Sequence, residues 1–260
     1  MTTSENVASL TLHTGVNMDI AGWHCNTFTI VARCPREGLL GVALTSSPLS
    51  VAARCSFIRA NVGAVSTQAY AHPGLGPLAL NLLETGFSPE KALTEIRASD
   101  RFSEHRQIGL VDRNGNSAVF TGKDALEWRG HRNGRNYVVM GNYLVNDQVV
   151  PAMEDAWLSS DGELFEERLM RAVEAGKAAG GEKGGQFSAG MLVYGRDTWA
   201  RTDLRVDMHR GPAGTDAVNS LRSLFEEYRP MIPYYEERPE NPLLDSWRVW
   251  REKNAPKVGA

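Results

Sequence analysis

Hydroxyl and amide side chains at the ends of apolar runs carry most of the chemistry this chain could do. Thr27 opens the run TFTIVAR (Thr27 to Arg33). A threonine hydroxyl attacks an amide carbonyl only when a base takes its proton. Without such a partner, Thr27 is only a β-branched residue well suited to a strand. Ser46 and Ser47 follow the run LLGVALT, just before Pro48. They are either catalytic companions of Thr27 or a polar strand end entering a turn. Thr67 and Gln68 close the run NVGAVSTQ, and Asn142 follows Gly141 after YVVMG. Each could donate to an oxyanion, or could simply satisfy buried polar groups. His105 stands beside Arg106 and Gln107, a candidate base next to a guanidinium that suits a carboxylate-bearing substrate. A single histidine is nevertheless more often structural than catalytic.

Further candidates lie outside this set. Tyr70 and His72 follow the third run at a chain break and could line a pocket mouth. Asp207 and His209 alternate along one strand and so point the same way. No third ligand stands at metal-site spacing, so no metal is expected. Arg205, with Arg106 and His105, hints at an anionic substrate. Cys25 is a minor alternative nucleophile, because adjacent His24 would point to the opposite side of an extended chain.

The elements that must position these residues follow from hydrophobic period. TFTIVAR and LLGVALT flank the turn-rich spacer 34–38, which predicts a hairpin of buried strands. The run at 61–68 is a third strand. Leu78, Leu82 and Leu83 recur at helical spacing before Gly86. Ser88-Pro89 opens a second helix with a cap and a first-turn proline. Residues 105–112 and 117–122 flank Asn114-Gly115, a strong hairpin signal, and 137–142 is another strand. Helices are expected at about 147–158 and 162–179, strands at 187–194 and 203–209, and a helix at 215–228. Strands and helices arrive in blocks, which predicts antiparallel sheets packed face to face under helices.

Of 260 residues, 42% are hydrophobic and 23% charged, enough for a sizeable core in one or two domains. A net charge of −3 leaves no basic footprint, so nucleic acid is not an expected partner. No apolar run nears the ~20 residues that cross a bilayer. Residues 1–26 hold no Lys or Arg to begin a secretory signal, so a cytoplasmic protein without a membrane partner is expected. Cys25, Cys34 and Cys55 make neither an even set nor a CxxC pair, which predicts reduced thiols. Residues 229–260 interleave prolines, among them Pro230, Pro233, Pro239 and Pro242, with Trp247 and Trp250. This arm is expected to bury its indoles on its own domain or on a partner subunit, which favours a homo-oligomer.

The blocks TFTIVAR, NVGAVSTQAYAHP, EHRQIGLVD, AVFTG, YVVMGN and DLRVDMH, in that order, resemble the bacterial family called domain of unknown function 1028, of the Ntn-hydrolase superfamily. The resemblance runs from about Thr27 to His209. It implies an α+β fold, a four-layer αββα sandwich of two mainly antiparallel sheets covered by helices. It also implies that Thr27 matches the residue which, once N-terminal, attacks with its hydroxyl while its own α-amine takes the proton. An α-amine has a pKa of roughly 7.7–8.0, so a neutral base is at hand. The chain departs from that pattern in three places. Asn26 precedes Thr27, Cys34 stands where the family pattern has Asp, and Ser47 stands where members often carry Lys.

These readings divide the chain into an extension (1–26), an Ntn-hydrolase-like domain (27–228) and the arm (229–260). The function expected is hydrolysis of a small-molecule amide by Thr27 with no cofactor. The alternatives are a non-catalytic or unprocessed protein of that fold that binds a small ligand, and a hydrolase whose base is a side chain.

Overall fold

The computed structural model describes residues 23–254. Two antiparallel sheets form its centre. The larger has the order β11-β10-β3-β2-β9-β8: β2 Thr27–Arg33, β3 Leu40–Ser46, β8 Gly130–Gly134, β9 Tyr137–Gly141, β10 Ser188–Tyr194 and β11 Ala200–Val206. The smaller has the order β1-β5-β6-β7, with β4 also on β5: β1 Trp23–Cys25, β4 Ser56–Arg59, β5 Gly63–Ala71, β6 Arg106–Asp112 and β7 Ser117–Thr121. A five-residue helix, α1 (Val51–Cys55), links β3 to β4.

Alternation along the strands sorts the core into layers. Val31, Val42, Leu44, Ala64, Val111 and Met140 meet between the sheets. The opposite face of the larger sheet (Phe28, Ile30, Ala43, Val139) packs under α4 (Val149–Ser159), α5 (Phe165–Ala178) and α6 (Ala217–Tyr228). The opposite face of the smaller sheet (Val65, Ile108, Leu110) packs under α2 (Leu75–Glu84) and α3 (Pro89–Ser99). The result is the four-layer αββα sandwich that the resemblance implies. Gly41 shows how closely α5 approaches β3. A Cβ there would stand 2.6 Å from Leu169 Cδ1 and 2.7 Å from Phe165 Cε1.

Local signals appear where the sequence carries them. Gly38 closes the β2–β3 hairpin at φ +72°, and Ser88 Oγ accepts from Lys91 N to cap α3 (3.3 Å). In the Asn-Gly turn, Asp112 Oδ1 accepts from the N–H groups of Asn114 and Asn116, each at 2.8 Å. Two expected strand bounds need correction. β5 runs on to Ala71 rather than stopping at Gln68, because β6 and β1 flank it there. The last strand spans Ala200–Val206, since it pairs with β10 there. β8, Gly-His-Arg-Asn-Gly, lacks any apolar period and is a strand only because β9 offers it an edge. Within the single chain the indoles of the arm are only partly covered.

In the arm, α7 (Ile232–Glu237) seats Ile232 and Tyr234 in the body, and Arg201 pairs with Glu236. The last helix, α8 (Trp247–Asn254), buries no residue. Trp247 is 45% exposed, and Trp250 rests only partly buried near Tyr234, their ring centroids 5.5 Å apart. Truncation after Ser246 should therefore change the unfolding free energy by less than about 0.5 kcal/mol. Truncation after Tyr228 also removes Met231, Ile232 and Tyr234 from the core and should cost on the order of 4 kcal/mol. Urea unfolding of the two truncations checks this, and equal midpoints would refute it.

Candidate active site

At Asn26 the chain leaves the smaller sheet and enters the larger one. Cys25 still pairs with Ala69 on β5, whereas Thr27 already pairs with Ser46 on β3. Thr27 therefore sits at one end of the space between the sheets, on a central strand, fully buried. Directly opposite pairs in a ladder share a face, so Thr27 and Ser46 touch. Thr27 Oγ1 donates to Ser46 Oγ at 3.1 Å, and Ser46 Oγ donates in turn to the carbonyl oxygen of Asn26. This hydroxyl relay spans the peptide bond that precedes Thr27.

Below it lies a cluster of buried amides. The carbonyl of Thr27 accepts from Gln68 Nε2 (3.0 Å), from the N–H of Asn142 (3.1 Å) and, more weakly, from Asn142 Nδ2 (3.4 Å). Thr29 Oγ1 donates to Gln68 Oε1 at 2.5 Å. Gln107 Oε1 accepts from Gln68 Nε2 (2.7 Å) and Asn142 Nδ2 (3.1 Å). Its Nε2 shares its hydrogens among Thr121 Oγ1 (2.8 Å) and the carbonyls of Gly130 and Gly141, each at 3.0 Å. Asn142 Oδ1 is buried and has no hydrogen-bond partner among the described residues. Two non-glycine residues flank the cluster in the left-handed region, Ala69 at φ +67° after Gln68 and Tyr143 at φ +55° after Asn142. Such strain costs about 1–3 kcal/mol per residue and concentrates at functional sites.

Ser47 stands next to this relay, half-buried, with its N–H donating to Glu182 Oε1 at 3.0 Å. Glu182 is a buried carboxylate that the sequence does not single out, because it sits in a Gly/Lys-rich connector that looks like a linker. Asn26 and Thr29 were also missed. Thr29 had a signal, being a second threonine on the Thr27 face of an otherwise apolar strand.

The remaining candidates stand elsewhere. Thr67 alternates with Gln68 and so faces the α2–α3 layer, away from Thr27, where its buried Oγ1 has no partner among the described residues. Arg106 likewise points outward. Its Nε donates to Asp100 at 2.8 Å and its Nη1 to the carbonyl of Tyr70, at 2% exposure. Arg106 is thus a buried structural cation, not a free site for a substrate carboxylate. Burial alone would raise the Asp100 carboxyl, but the Arg106 guanidinium and the Phe102 N–H outweigh it and hold the pKa below its usual range. His105 belongs to the same outer cluster, edge-on to the Tyr70 ring at 5.4 Å, with Nε2 3.8 Å from Asp124. Burial pushes the Tyr70 phenol up.

His72 is exposed, its Nδ1 accepting from Gly74 N at 3.1 Å. Arg205 lies on edge strand β11, three strands from Thr27 (about 14 Å at the usual spacing), and clasps Asp203. Asp207 is exposed beyond that strand and meets Ser50 through its backbone. His209 bonds Ser220 and Thr215. Among the described residues no three His, Cys, Asp or Glu side chains gather as a metal would require, and no helix is long and apolar enough to cross a membrane. Of the candidates, the fold brings Thr27, Ser46, Ser47, Gln68, Gln107 and Asn142 together.

Fold and site together define an α+β sandwich protein with a buried threonine where its chain crosses between sheets. The chain belongs to the family of unknown function DUF1028, which matches residues 27–215. A crystal structure of a family member from Silicibacter pomeroyi is 30% identical with a TM-score of 0.71, over 78% of this chain and 88% of that one. Two Anbu (ancestral beta-subunit) proteins overlap far less. That of Yersinia bercovieri has a TM-score of 0.37 at 10% identity, over 77% of this chain and 93% of its own. That of a Hyphomicrobium strain also scores 0.37 at 10% identity, over 85% and 99%. Neither fold nor activity transfers at that level. No curated protein matches.

The amide cluster predicts its own cost. Gln107→Leu strips an acceptor from Gln68 and Asn142 and a donor from Gly130 and Gly141. It should destabilise the protein by about 2–4 kcal/mol, because buried polar groups left unpaired lose their full hydration. Urea unfolding with unchanged m-value would bear this out; a loss under 1 kcal/mol (roughly the exposed-residue range) would show the cluster to be dispensable.

Proposed function

We propose that this chain is an amide hydrolase of the Ntn type, with Thr27 Oγ1 as nucleophile, acting on a small-molecule amide without a cofactor. The observation that carries the reading is the hydroxyl relay from Thr27 through Ser46 to the Asn26 carbonyl. While the Asn26–Thr27 bond is intact, the Thr27 nitrogen is an amide and cannot take a proton. The relay lies across the bond whose scission would free it.

The chemistry balances with water as the only co-reactant. Thr27 Oγ attacks the Asn26 carbonyl carbon, passing its proton to Ser46 Oγ, while Ser46 gives its own proton to the Asn26 oxygen. The tetrahedral carbon then returns that proton to the nitrogen as the C–N bond breaks, leaving Asn26 esterified to Thr27 Oγ. Water hydrolyses the ester to an Asn26 carboxylate and a free Thr27 α-amine. That amine, with a pKa near 8, then serves as base for an incoming amide. In this reading Ser46 Oγ donates to the oxyanion and Asn142 Oδ1 accepts from the amine.

A second reading, a ligand-binding protein with a blocked nucleophile, is favoured by Thr27 being fully buried and peptide-bonded to Asn26. We also place the chain in the cytoplasm as a homo-oligomer joined through its arm. There Leu243 is 93% exposed and Trp247 45%.

Mass spectrometry and amide turnover separate the two readings. The full chain should lose residues 1–26 on incubation and then hydrolyse amides. Thr27→Ala should keep its full mass and turn over nothing, Thr27→Ser should retain part of both activities, and Ser46→Ala should slow scission about 10²-fold, the scale of losing one oxyanion donor. Turnover by a chain still joined at Asn26–Thr27 would refute the α-amine base. Turnover by Thr27→Ala would remove Thr27 from the mechanism.

A further inference from the structure

On the Thr27 reading, the residues just before the scissile bond are seated as an acyl group would be. Trp23, His24 and Cys25 form β1, antiparallel to β5 in the register Trp23↔Ala71, His24↔Tyr70, Cys25↔Ala69. Asn26 then carries its carbonyl onto Ser46 Oγ, beside Thr27 Oγ1. β4 covers the same side of β5 only from Gly63 to Ser66. Among the described residues, β1 alone pairs with that edge at Ala69–Ala71. Once the bond is cut and residues up to Asn26 depart, three features open together: the Ser46 hydroxyl without its acceptor, the Thr27 hydroxyl, and a short stretch of β5 backbone.

We infer that the substrate is an amide whose acyl half is a short peptide. Its carbonyl would take the place of the Asn26 carbonyl, and the acyl residues before it would lie extended along β5 at Ala69–Ala71. The physical reason is that an extended peptide can renew the strand pairing that β1 makes with β5, whereas an acetyl or alkyl acyl group has no backbone with which to do so. Ala69 strengthens the case. Its left-handed φ of +67° is a strained turn of the β5 edge at the position opposite Cys25, where the guest strand leaves the smaller sheet for Ser46.

The test uses the full chain after incubation, with intact mass read first. Two arylamides share an asparagine at the scissile carbonyl, acetyl-Asn arylamide and acetyl-Trp-His-Ala-Asn arylamide, with alanine replacing cysteine to avoid disulfides. A third is the longer compound N-methylated at its His and Ala nitrogens. The peptide compound should exceed acetyl-Asn arylamide in kcat/KM by about ten-fold or more, the gain of one or two strand hydrogen bonds, and N-methylation should abolish that gain. The product acid, acetyl-Trp-His-Ala-Asn, is titrated separately by tryptophan fluorescence and should bind the shortened chain more tightly than its N-methylated form. Equal rates for the first two compounds, or a gain or binding that survives N-methylation, overturns the peptidyl inference while leaving Thr27 as nucleophile. A shortened chain that hydrolyses neither arylamide yet binds the unmethylated acid selectively keeps the acyl groove and overturns the hydrolase reading. A chain that keeps residues 1–26 and hydrolyses nothing overturns both.

Discussion

The hydrogen bond between the side-chain amides of Gln68 and Gln107, 2.7 Å long and wholly buried, is the constraint around which this end of the molecule is built. The two residues are neighbours on β5 and β6, yet apart from the bond of Gln107 Nε2 to Thr121 on β7 their remaining side-chain bonds cross to the side of the other sheet. Gln68 reaches Thr27 and Thr29 on β2, and Gln107 reaches the carbonyls of Gly130 and Gly141 at the β8–β9 edge. An apolar interface between sheets is tolerant of sliding, because dispersion has little direction. A satisfied amide network in low dielectric is not, since any slip leaves several buried groups unpaired at once. The pair thus sets the relation of the two sheets where a reaction would require it.

That constraint explains how Thr27 is held rigid in its backbone while its hydroxyl stays available. Donors from Gln68 and Asn142 fix its carbonyl on one side. The hydroxyl turns the other way, to Ser46, and so commits its proton to a relay rather than to the scaffold. The left-handed residues Ala69 and Tyr143 follow directly after Gln68 and Asn142, the two side chains that grip Thr27. Backbone strain at those points is sustained by the network and not by local propensity, which for alanine and tyrosine would favour an ordinary strand or helix.

Away from the site the polar side chains do different work. Arg106 with Asp100 fastens β6 to the end of α3, and Arg222 gathers Glu167 and Glu174 between α5 and α6. Arg201, between buried Glu166 and exposed Glu236, ties the arm to the larger sheet. These cations neutralise carboxylates that would otherwise be expensive to bury. Their concentration in the outer layers leaves the space between the sheets to neutral amides and hydroxyls at the Thr27 end.

The sequence by itself determined the elements whose signals are local. Apolar runs around a turn-rich spacer placed β2 and β3, an Asn-Gly pair placed the β6–β7 hairpin, and Ser88-Pro89 placed the start of α3, because strand propensity, turn dihedrals and capping each act within a few residues. Thr27, Ser46, Gln68 and Asn142 were visible as polar ends of apolar strands for the same reason. Tertiary structure alone decided which of them meet. Gln68 and Thr67 are indistinguishable as neighbours at a strand end, and only the sheet that packs on β5 turns one toward Thr27 and the other toward the helices. Gln107, read beside His105 and Arg106 as one cluster, is separated from them by the same alternation. Glu182 and β8 left no sequence signal, since a carboxylate in a glycine-rich connector acquires its role from Ser47, more than a hundred residues away, and a polar five-residue strand is one only through its pairing with β9. The relay to Asn26 is likewise a property of register. Thr27 and Ser46 stand opposite one another because β2 and β3 pair from Thr27↔Ser46 to Arg33↔Leu40, and a slip of one residue would turn the two hydroxyls to opposite faces.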